Sequence, residues 1–282
     1  MKLLRYGPTG QEKPGLLDRD GRIRDLSGVL RDIDGPALAP ASLDRLRRLD
    51  PASLPLVSGT PRLGPCVGAV QKVVAIGLNY RKHAEEAGMP IPKEPIFFLK
   101  ATSSICGPND DTIIPKGSQK MDYEVELGIV IGTTARYVSV HDAQKHIAGY
   151  CTVNDVSERE FQIERGGTWT KGKSADTFCP MGPWLVTADE VPDPGKLQVR
   201  TDVNGERRQD SSTADLIFGV DHIISYLSHF LTLQPGDVIP TGTPSGVGMG
   251  FKPPRFLQPG DRVRVSVEGL GEQNQRLVAY EG

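Results

Sequence analysis

The chain of 282 residues has few cysteines, little net charge and no long apolar run. The cysteines contain no C-x-x-C pair, which excludes a zinc knuckle or a redox motif of that kind, and we expect all of them to be reduced and buried. They are Cys66, Cys106, Cys151 and Cys179. Lys and Arg number 33 against 35 Asp and Glu, which argues against a protein that coats nucleic acid or an anionic membrane. No segment approaches the roughly 20 apolar residues of a membrane helix, and no signal-peptide pattern follows Met1, so we predict a cytoplasmic protein.

The residues that are abundant favour a β-rich fold. Glycine occurs 32 times and proline 23 times, which favours many turns and short strands over a helix bundle. Hydrophobic residues make up 38% of the chain, enough for a sizeable core. Helical patterns interrupt the strands irregularly rather than alternating with them. The sequence therefore predicts an α+β class with strands in the majority.

The first part of the chain has the pattern of a small module of its own. Asp20-Gly21 lies between alternating apolar and polar residues, which is typical of a tight hairpin. Leucines three residues apart in 42–50 predict a short helix. Residues 51–65 are rich in proline, serine and glycine, as linkers are. We therefore predict a small α/β module and linker in 1–65 and a catalytic domain in 66–282.

The larger segment combines several predicted strands with three predicted helices. Strands are expected at 72–80, 95–100, 121–132, 150–156, 236–242 and 260–271. One helix is predicted over 80–88, a second after an N-cap at Ser139, and a third over 215–233, where apolar residues recur at helical spacing. Asn204-Gly205 predicts another hairpin.

Three carboxylates are candidate ligands of a divalent cation. Glu124 and Glu126 are two apart in a predicted strand, so they share one face, while Tyr123, Val125, Leu127 and Ile129 share the other. Asp155 follows an apolar run at the end of another strand. A ligand set of carboxylates alone favours Mg²⁺ or Mn²⁺ over Zn²⁺. The ordinary alternatives are a solvated strand face for the glutamates and a turn or cap for Asp155.

Three further patterns could complete a catalytic site. Lys173, between Gly172 and Ser174, can bring an ammonium group to a ligand, and with one divalent cation it would balance the three carboxylates. His83 and Glu86 are neighbours on a helix face, where the carboxylate can orient the imidazole for proton transfer. The Gly/Pro-rich loop 239–248 can hold a carboxylate through hydroxyls and backbone N–H groups. The alternatives are a surface lysine, a surface His–Glu pair and an ordinary tight connection.

The order of these patterns is more specific than any one of them. G-L-N-Y-x₂-H-x₂-E is followed by D-Y-E-V-E-L, N-D-V-S-E-R-E-x-Q, G-K-S-x-D-T and P-T-G-T-P-x-G-V-G. From about residue 72 to the C-terminus this series resembles the fumarylacetoacetate hydrolase family. Within the family, the sequence is most similar to bacterial hydrolases of 2,4-diketo-3-deoxy-L-rhamnonate and 2,4-diketo-3-deoxy-L-fuconate, and relatives are often labelled ureidoglycolate lyase. One departure is Glu160, where the family usually has Asp, and we assign no role to Arg159 or Glu160.

The resemblance implies a β-roll catalytic fold and a role for each candidate. Mg²⁺ or Mn²⁺ would be held by Glu124, Glu126 and Asp155. His83 and Glu86 would activate water, Lys173 would stabilise the substrate or its enolate, and Gln162 and Thr243 would contact substrate. The family also implies a homodimer or larger homo-oligomer that acts on a small molecule.

The expected reaction is hydrolysis of a C–C bond in a 2,4-diketo-3-deoxy sugar acid, which gives pyruvate and a hydroxy acid such as lactate. Other reactions could use the same metal site: ureidoglycolate cleavage, oxaloacetate decarboxylation or oxo-acid isomerisation. A remote alternative is a non-catalytic, metal-stabilised binding protein. Polar residues in the site segments, Asn79 and Thr241 among them, favour a hydroxylated substrate, and Trp169 is the only large aromatic residue expected near them.

Overall fold

Short strands form most of the regular structure in the computed structural model, which describes residues 1–281. In this part of the chain the α-helices are α1 (Pro40–Arg47), α2 (Arg81–Glu86), α3 (Trp169–Lys173) and α4 (Val220–Ser228). The strands of the first half are β1 (Lys2–Tyr6), β2 (Lys13–Leu17), β3 (Ile23–Asp25), β4 (Val73–Gly77), β5 (Ile96–Lys100), β6 (Ile105–Cys106), β7 (Thr112–Ile114), β8 (Met121–Asp122) and β9 (Val125–Ile131). Those of the second half are β10 (Ile147–Asn154), β11 (Ser157–Glu158), β12 (Cys179–Thr187), β13 (Gln198–Val203), β14 (Glu206–Ser212), β15 (Val238–Pro240), β16 (Arg262–Val267) and β17 (Gly271–Ala279).

Two large sheets organise these strands. The first has the order β3-β2-β1-β12-β10-β9-β15-β4-β5, and β6 pairs with β12 beside this path. The second has the order β14-β13-β16-β17-β7, while β8 and β11 form a separate pair. Most neighbours are antiparallel, but β15 with β4, β7 with β17 and β6 with β12 run parallel. The α+β, strand-rich class predicted from the sequence is confirmed.

The apolar core lies on both faces of the first sheet. Leu127 and Ile129 of β9 pack with Val265 and Val267 of β16, so the two sheets face each other across one cluster. Val130, on the opposite face of β9, belongs to a second cluster. This alternation agrees with the predicted strand pattern, since all four residues expected to share a face, Tyr123, Val125, Leu127 and Ile129, lie in the first cluster.

Residues 1–65 cover the second face. Leu3, Leu16 and Leu46 are buried in the second cluster together with Val130. β1 pairs with β12, so strands from the first segment extend the same sheet that carries β9 and β10. The division at residue 65 stays a prediction about domains, but this contact shows how the first segment supports the sheet behind the site.

Two helix predictions need correction. The stripe over 215–233 forms an α-helix only from Val220, because Leu216 makes a β-bridge with Tyr80 and the Ile217 N–H donates to the Asn79 carbonyl. The segment after Ser139 is capped as predicted, since the Ser139 hydroxyl accepts from the Asp142 N–H, but it is a 3₁₀ helix over Val140–His146. This 3₁₀ helix ends at His146, and β10 begins at the next residue, Ile147.

The predicted cysteine chemistry agrees with the structure. All four cysteines are free and buried. Burial raises the pKa of the Cys179 thiol to about 12, so this thiol stays protonated at neutral pH. Among the described residues, no helix is both long and apolar enough to cross a membrane.

Candidate active site

The three predicted carboxylates lie together where β9 begins and β10 ends. Glu124, Glu126 and Asp155 each have a carboxylate oxygen within 4.8 Å of the others, and all three side chains are buried. Antiparallel pairing of β9 and β10 sets this meeting point, because Asn154 pairs with Val125, between the two glutamates. A buried set of oxygen donors fits a hard divalent cation, since the carboxylates otherwise repel one another.

The pKa values of the two glutamates are shifted in opposite directions. Burial alone would raise the pKa of Glu124, but the positive charges of Lys173 and Arg159 outweigh it and lower this pKa to about 2. Burial, together with the charges of Asp155 and Glu124, raises the pKa of Glu126 well above its usual value. The negative charge of the cluster is therefore not fully balanced by its neighbours, and a divalent cation would balance it.

Lys173 extends from the end of α3 into the carboxylate cluster. Its Nζ donates to Glu124 Oε2 at 2.7 Å and to Asp155 Oδ2 at 2.8 Å. The side chain is 2% exposed, and Nζ lies 5.4 Å from the ring centre of Phe98. Burial would lower the pKa of Lys173, but the charges of Asp155 and Glu124 raise it, so the ammonium form is retained.

Two cations that the sequence did not identify also reach the cluster. Lys100, at the end of β5, contacts Asp155 Oδ1 through Nζ, and its side chain is fully buried. Arg159 Nη2 lies 2.7 Å from Glu124 Oε1, and its Nε donates to Asp122 Oδ2 at 2.8 Å. The predicted balance of three carboxylates against one lysine and one divalent cation is therefore incomplete. The position of Arg159 in the family-like stretch S-E-R-E was the only sequence signal for this residue. No sequence pattern identified Lys100. Glu160, by contrast, is half-buried near the surface and pairs with Arg165.

The His83–Glu86 pair forms as the helical spacing predicted. His83 Nδ1 and Glu86 Oε2 are 3.0 Å apart on α2. Glu86 Oε1 also accepts from the Gly246 N–H at 2.9 Å. A Cβ at Gly250 would lie 2.4 Å from Glu86 Cδ, so a larger residue there would displace the carboxylate. The loop thus fixes Glu86, which in turn fixes the histidine.

The Gly/Pro-rich loop holds carboxylates, as predicted, but they belong to the protein. The Gly242 N–H donates to Glu126 Oε2 at 2.7 Å. The Gly248 and Met249 N–H groups donate to the two oxygens of Asp122 at 2.6 and 3.0 Å. The loop therefore positions one candidate metal ligand directly and the Asp122–Arg159 pair behind another.

A cavity of about 260 Å³ connects these groups. Its polar wall contains all the residues predicted for the site except Glu86: His83, Glu124, Glu126, Asp155, Gln162, Lys173 and Thr243, with Arg159 in addition. Its apolar wall contains Ile76, Leu78, Ala87, Met89, Phe98, Ile163, Trp169 and Met249. A volume of this size suits a small organic acid.

The two predicted substrate contacts, Gln162 and Thr243, differ in which donor and acceptor groups remain free for a ligand. Gln162 lies in a π-helical turn over Glu160–Glu164, and its Oε1 accepts from Arg159 Nη1, which leaves the amide N–H groups for a ligand. The Thr243 hydroxyl donates to the Val125 carbonyl and accepts from Gln209 Nε2. Thr243 can therefore only accept a further hydrogen bond.

Some expectations about the cavity wall were wrong. Asn79 Nδ2 donates to the Thr241 and Phe218 carbonyls, and the Thr241 hydroxyl donates to the Leu127 carbonyl, so these groups hold the backbone. Trp169 is accompanied by Phe98, with ring centres 5.5 Å apart. Trp169 lies directly on Gly77, where a Cβ would come within 2.1 Å of the indole ring.

Asp122→Ala should lower the melting temperature by about 5–10 °C, because it leaves the buried Arg159 charge and the loop N–H groups without their partner, at a cost of roughly 3–5 kcal/mol. Differential scanning calorimetry measures the change. Asp111→Ala is the matched control, since that Asp–Arg pair with Arg276 is half-exposed and contributes about 0–1 kcal/mol. Similar losses in the two variants would contradict the supporting role of Asp122.

The fold and the site together define an enzyme with a buried acidic centre beside a histidine–carboxylate pair. Residues 72–278 match the family model for the fumarylacetoacetate (FAA) hydrolase C-terminal domain. The chain belongs to the fumarylacetoacetate hydrolase family.

Individual relatives span nearly the whole chain. A Burkholderia lata protein that carries the provisional name of hydrolase is 64% identical over 276 residues, which cover 98% of each chain. The structure of maleylpyruvate hydrolase from Sphingobium sp. SYK-6 in complex with manganese(II) and pyruvate is similar with a TM-score of 0.81 and 30% identity, and the match covers all of both chains. The 2-hydroxyhepta-2,4-diene-1,7-dioate isomerase of Mycobacterium marinum is similar with a TM-score of 0.76 and 32% identity, again over all of both chains.

Proposed function

We propose that the protein is a metal-dependent hydrolase that cleaves the C–C bond of a small 2,4-diketo acid. The observation that carries the proposal is that one cavity contains three clustered carboxylates, a buried lysine and a histidine held by a carboxylate. The products are pyruvate and a second carboxylic acid. The manganese and pyruvate bound to the Sphingobium relative support the same kind of centre.

Glu124, Glu126 and Asp155 would hold Mg²⁺ or Mn²⁺, because their oxygens are buried, close together and unbalanced in charge. Such a cation supplies Lewis acidity and a template for the carboxylate and 2-oxo group of the substrate. The protein contributes the orientation of these oxygens. The Gly242 N–H fixes Glu126, while Arg159 and Lys173 fix Glu124.

His83 would act as the general base. Glu86 holds Nδ1, which leaves Nε2 to take a proton from water as the water oxygen bonds to C4. The C3–C4 bond then breaks, and its electron pair passes to the pyruvate half as an enolate. A proton returned to C3 completes pyruvate, while the C4 half leaves as the second acid. The Lys173 ammonium group stabilises the negative charge that develops in this step.

The finer proposal is that the substrate is a 2,4-diketo-3-deoxy sugar acid of the L-rhamnonate or L-fuconate type. Beyond C4 this molecule has one hydroxyl and one methyl group. The free amide N–H groups of Gln162 suit the hydroxyl, and the wall of Phe98, Ile163 and Trp169 suits the methyl. Hydrolysis then gives pyruvate and lactate.

The test compares kcat/KM for 2,4-diketo-3-deoxy-L-rhamnonate, acetylpyruvate and fumarylacetoacetate. We expect the sugar-derived acid to exceed acetylpyruvate by about tenfold or more, because a site that hydrogen-bonds a hydroxyl rejects an analogue without it. Fumarylacetoacetate should be poorest, since its terminal carboxylate would meet the apolar wall. Gln162→Leu should bring the first two values together. If acetylpyruvate matches the sugar acid in the wild-type protein, the sugar-acid assignment is wrong, while C–C hydrolysis still stands.

Isomerisation of an oxo acid is the second candidate, because the Mycobacterium marinum relative is named as an isomerase. The same site could also decarboxylate oxaloacetate or cleave ureidoglycolate. Proton NMR of each substrate with the metal-loaded protein separates these reactions, since only hydrolysis of a diketo acid yields pyruvate together with a second carboxylic acid. The homodimer or larger homo-oligomer implied by the family stays a prediction.

A further inference from the structure

Lys100 contacts the carboxylate cluster without being one of the residues that line the cavity. It is the last residue of β5, and its Nζ contacts Asp155 Oδ1 and lies 3.4 Å from the Val156 carbonyl. Lys173 contacts the other oxygen of the same carboxylate, Oδ2. Lys173 lines the cavity, but Lys100 is not among the described residues that do so. Lys100 therefore acts on a ligand only through Asp155.

The buried position of Lys100 changes the charge of the centre. Arg159 and Asp122 form an ion pair whose two charges cancel each other. The three clustered carboxylates then face two lysines, and a divalent cation brings the positive charges to one more than the negative charges. Without Lys100 the loaded centre would be neutral. In a buried site of low effective dielectric, one charge in contact with a candidate metal ligand has a large effect on the binding of ions.

We propose that Lys100 is a positioning residue that weakens the binding of the divalent cation and strengthens the binding of the anionic substrate. Its ammonium group repels the cation across Asp155 and leaves the loaded centre with the single positive charge that matches a carboxylate ligand. Lys100 also holds Oδ1 of Asp155, so that Oδ2 points to Lys173 and the cavity. This inference rests on the proposed metal centre and goes beyond it, because it assigns opposite effects on two ligands to one lysine.

The experiment measures two affinities of Lys100→Met, neither of which uses turnover. Isothermal titration calorimetry gives the Kd of Mn²⁺ for the metal-free protein and the Kd of pyruvate for the Mn²⁺-loaded protein. We expect Mn²⁺ to bind at least threefold more tightly than to wild type and pyruvate at least tenfold more weakly. A merely structural role for Lys100 would weaken both.

The variant should also change the coupling between metal and stability. Without Lys100, Asp155 loses a buried partner, so the metal-free protein should melt at a lower temperature than wild type. Mn²⁺ should then raise the melting temperature of Lys100→Met by more than it raises that of wild type. Lys100→Arg keeps the charge and should retain pyruvate binding.

Lys72→Met is the matched control. Lys72 Nζ lies 2.7 Å from Asp237 Oδ2, another buried aspartate, but neither residue is among those that line the cavity. Its Mn²⁺ and pyruvate affinities should equal those of wild type. Weaker Mn²⁺ binding by Lys100→Met, or unchanged pyruvate binding, would overturn the role of Lys100 alone. A wild-type protein that binds no Mn²⁺ would overturn the proposed metal centre and this inference with it. Should Lys100→Met fail to fold, Lys100→Gln replaces it in the same comparison.

Discussion

Removal of divalent cations should abolish turnover of the diketo acid, and Mg²⁺ or Mn²⁺ should restore it. The reason is the concentration of negative charge in a buried place: three carboxylates have oxygens within 4.8 Å of one another. Burial and the neighbouring carboxylates raise the pKa of Glu126 well above its usual value, so the centre lacks positive charge even beside its lysines. Assay after dialysis against EDTA, with metal content verified by mass spectrometry, measures the loss and the recovery. Full activity in a verified metal-free sample would overturn the assignment.

The ligands can be tested one at a time. Glu124→Gln and Glu126→Gln should each weaken Mn²⁺ binding by about 100-fold or more, because each removes a charged donor from a set of three. Tyr123→Phe is the matched control from the same segment. The Tyr123 hydroxyl donates to the Gly246 carbonyl and its ring packs in the core, away from the carboxylates. Equal damage to Mn²⁺ binding in Tyr123→Phe would show that the face assigned to the glutamates is wrong.

Local periodicity was sufficient to predict where these glutamates lie. Because side chains alternate along a strand, the apolar residues 123, 125, 127 and 129 had to share a face that the glutamates do not. The structure buries those four residues in one cluster and places both glutamates in the cavity. The helical spacing of His83 and Glu86 was predictive for the same reason, since the two side chains meet within a single turn.

Contacts between distant segments could not be predicted in this way. Lys100 ends an apolar strand, where a lysine is usually exposed, and its burial depends on Asp155 from another part of the sheet. Asn79 and Thr241 are polar residues in site segments, but each is committed to a backbone carbonyl that only the folded structure brings near. The same limitation explains the helix predicted over 215–233. Its first apolar residues pair with Tyr80 and Asn79 instead of joining α4.

His83→Ala should lower kcat for hydrolysis by about 10²–10⁴-fold and leave Mn²⁺ affinity unchanged. His83 lines the cavity but is not part of the carboxylate cluster, so its proposed task is proton transfer rather than metal binding. Glu86→Gln should cause a smaller loss, because it weakens the hold on Nδ1 and the link to the Gly246 N–H without removing the base. Steady-state assays and Mn²⁺ titration measure the two properties separately.

The neighbouring residue Glu85 supplies the control for this pair. Glu85 is an exposed carboxylate on the same short helix, directly before Glu86. Because it is only two residues from His83, it lies on a different helix face. Glu85→Gln should therefore hydrolyse at the wild-type rate. His83→Ala should still exchange the C3 protons of a bound diketo acid with deuterium, because that exchange depends on the polarised 2-oxo end of the substrate. A His83→Ala variant that hydrolyses at the wild-type rate would show that water is activated elsewhere. One that loses both Mn²⁺ binding and proton exchange would show that His83 supports the metal centre instead.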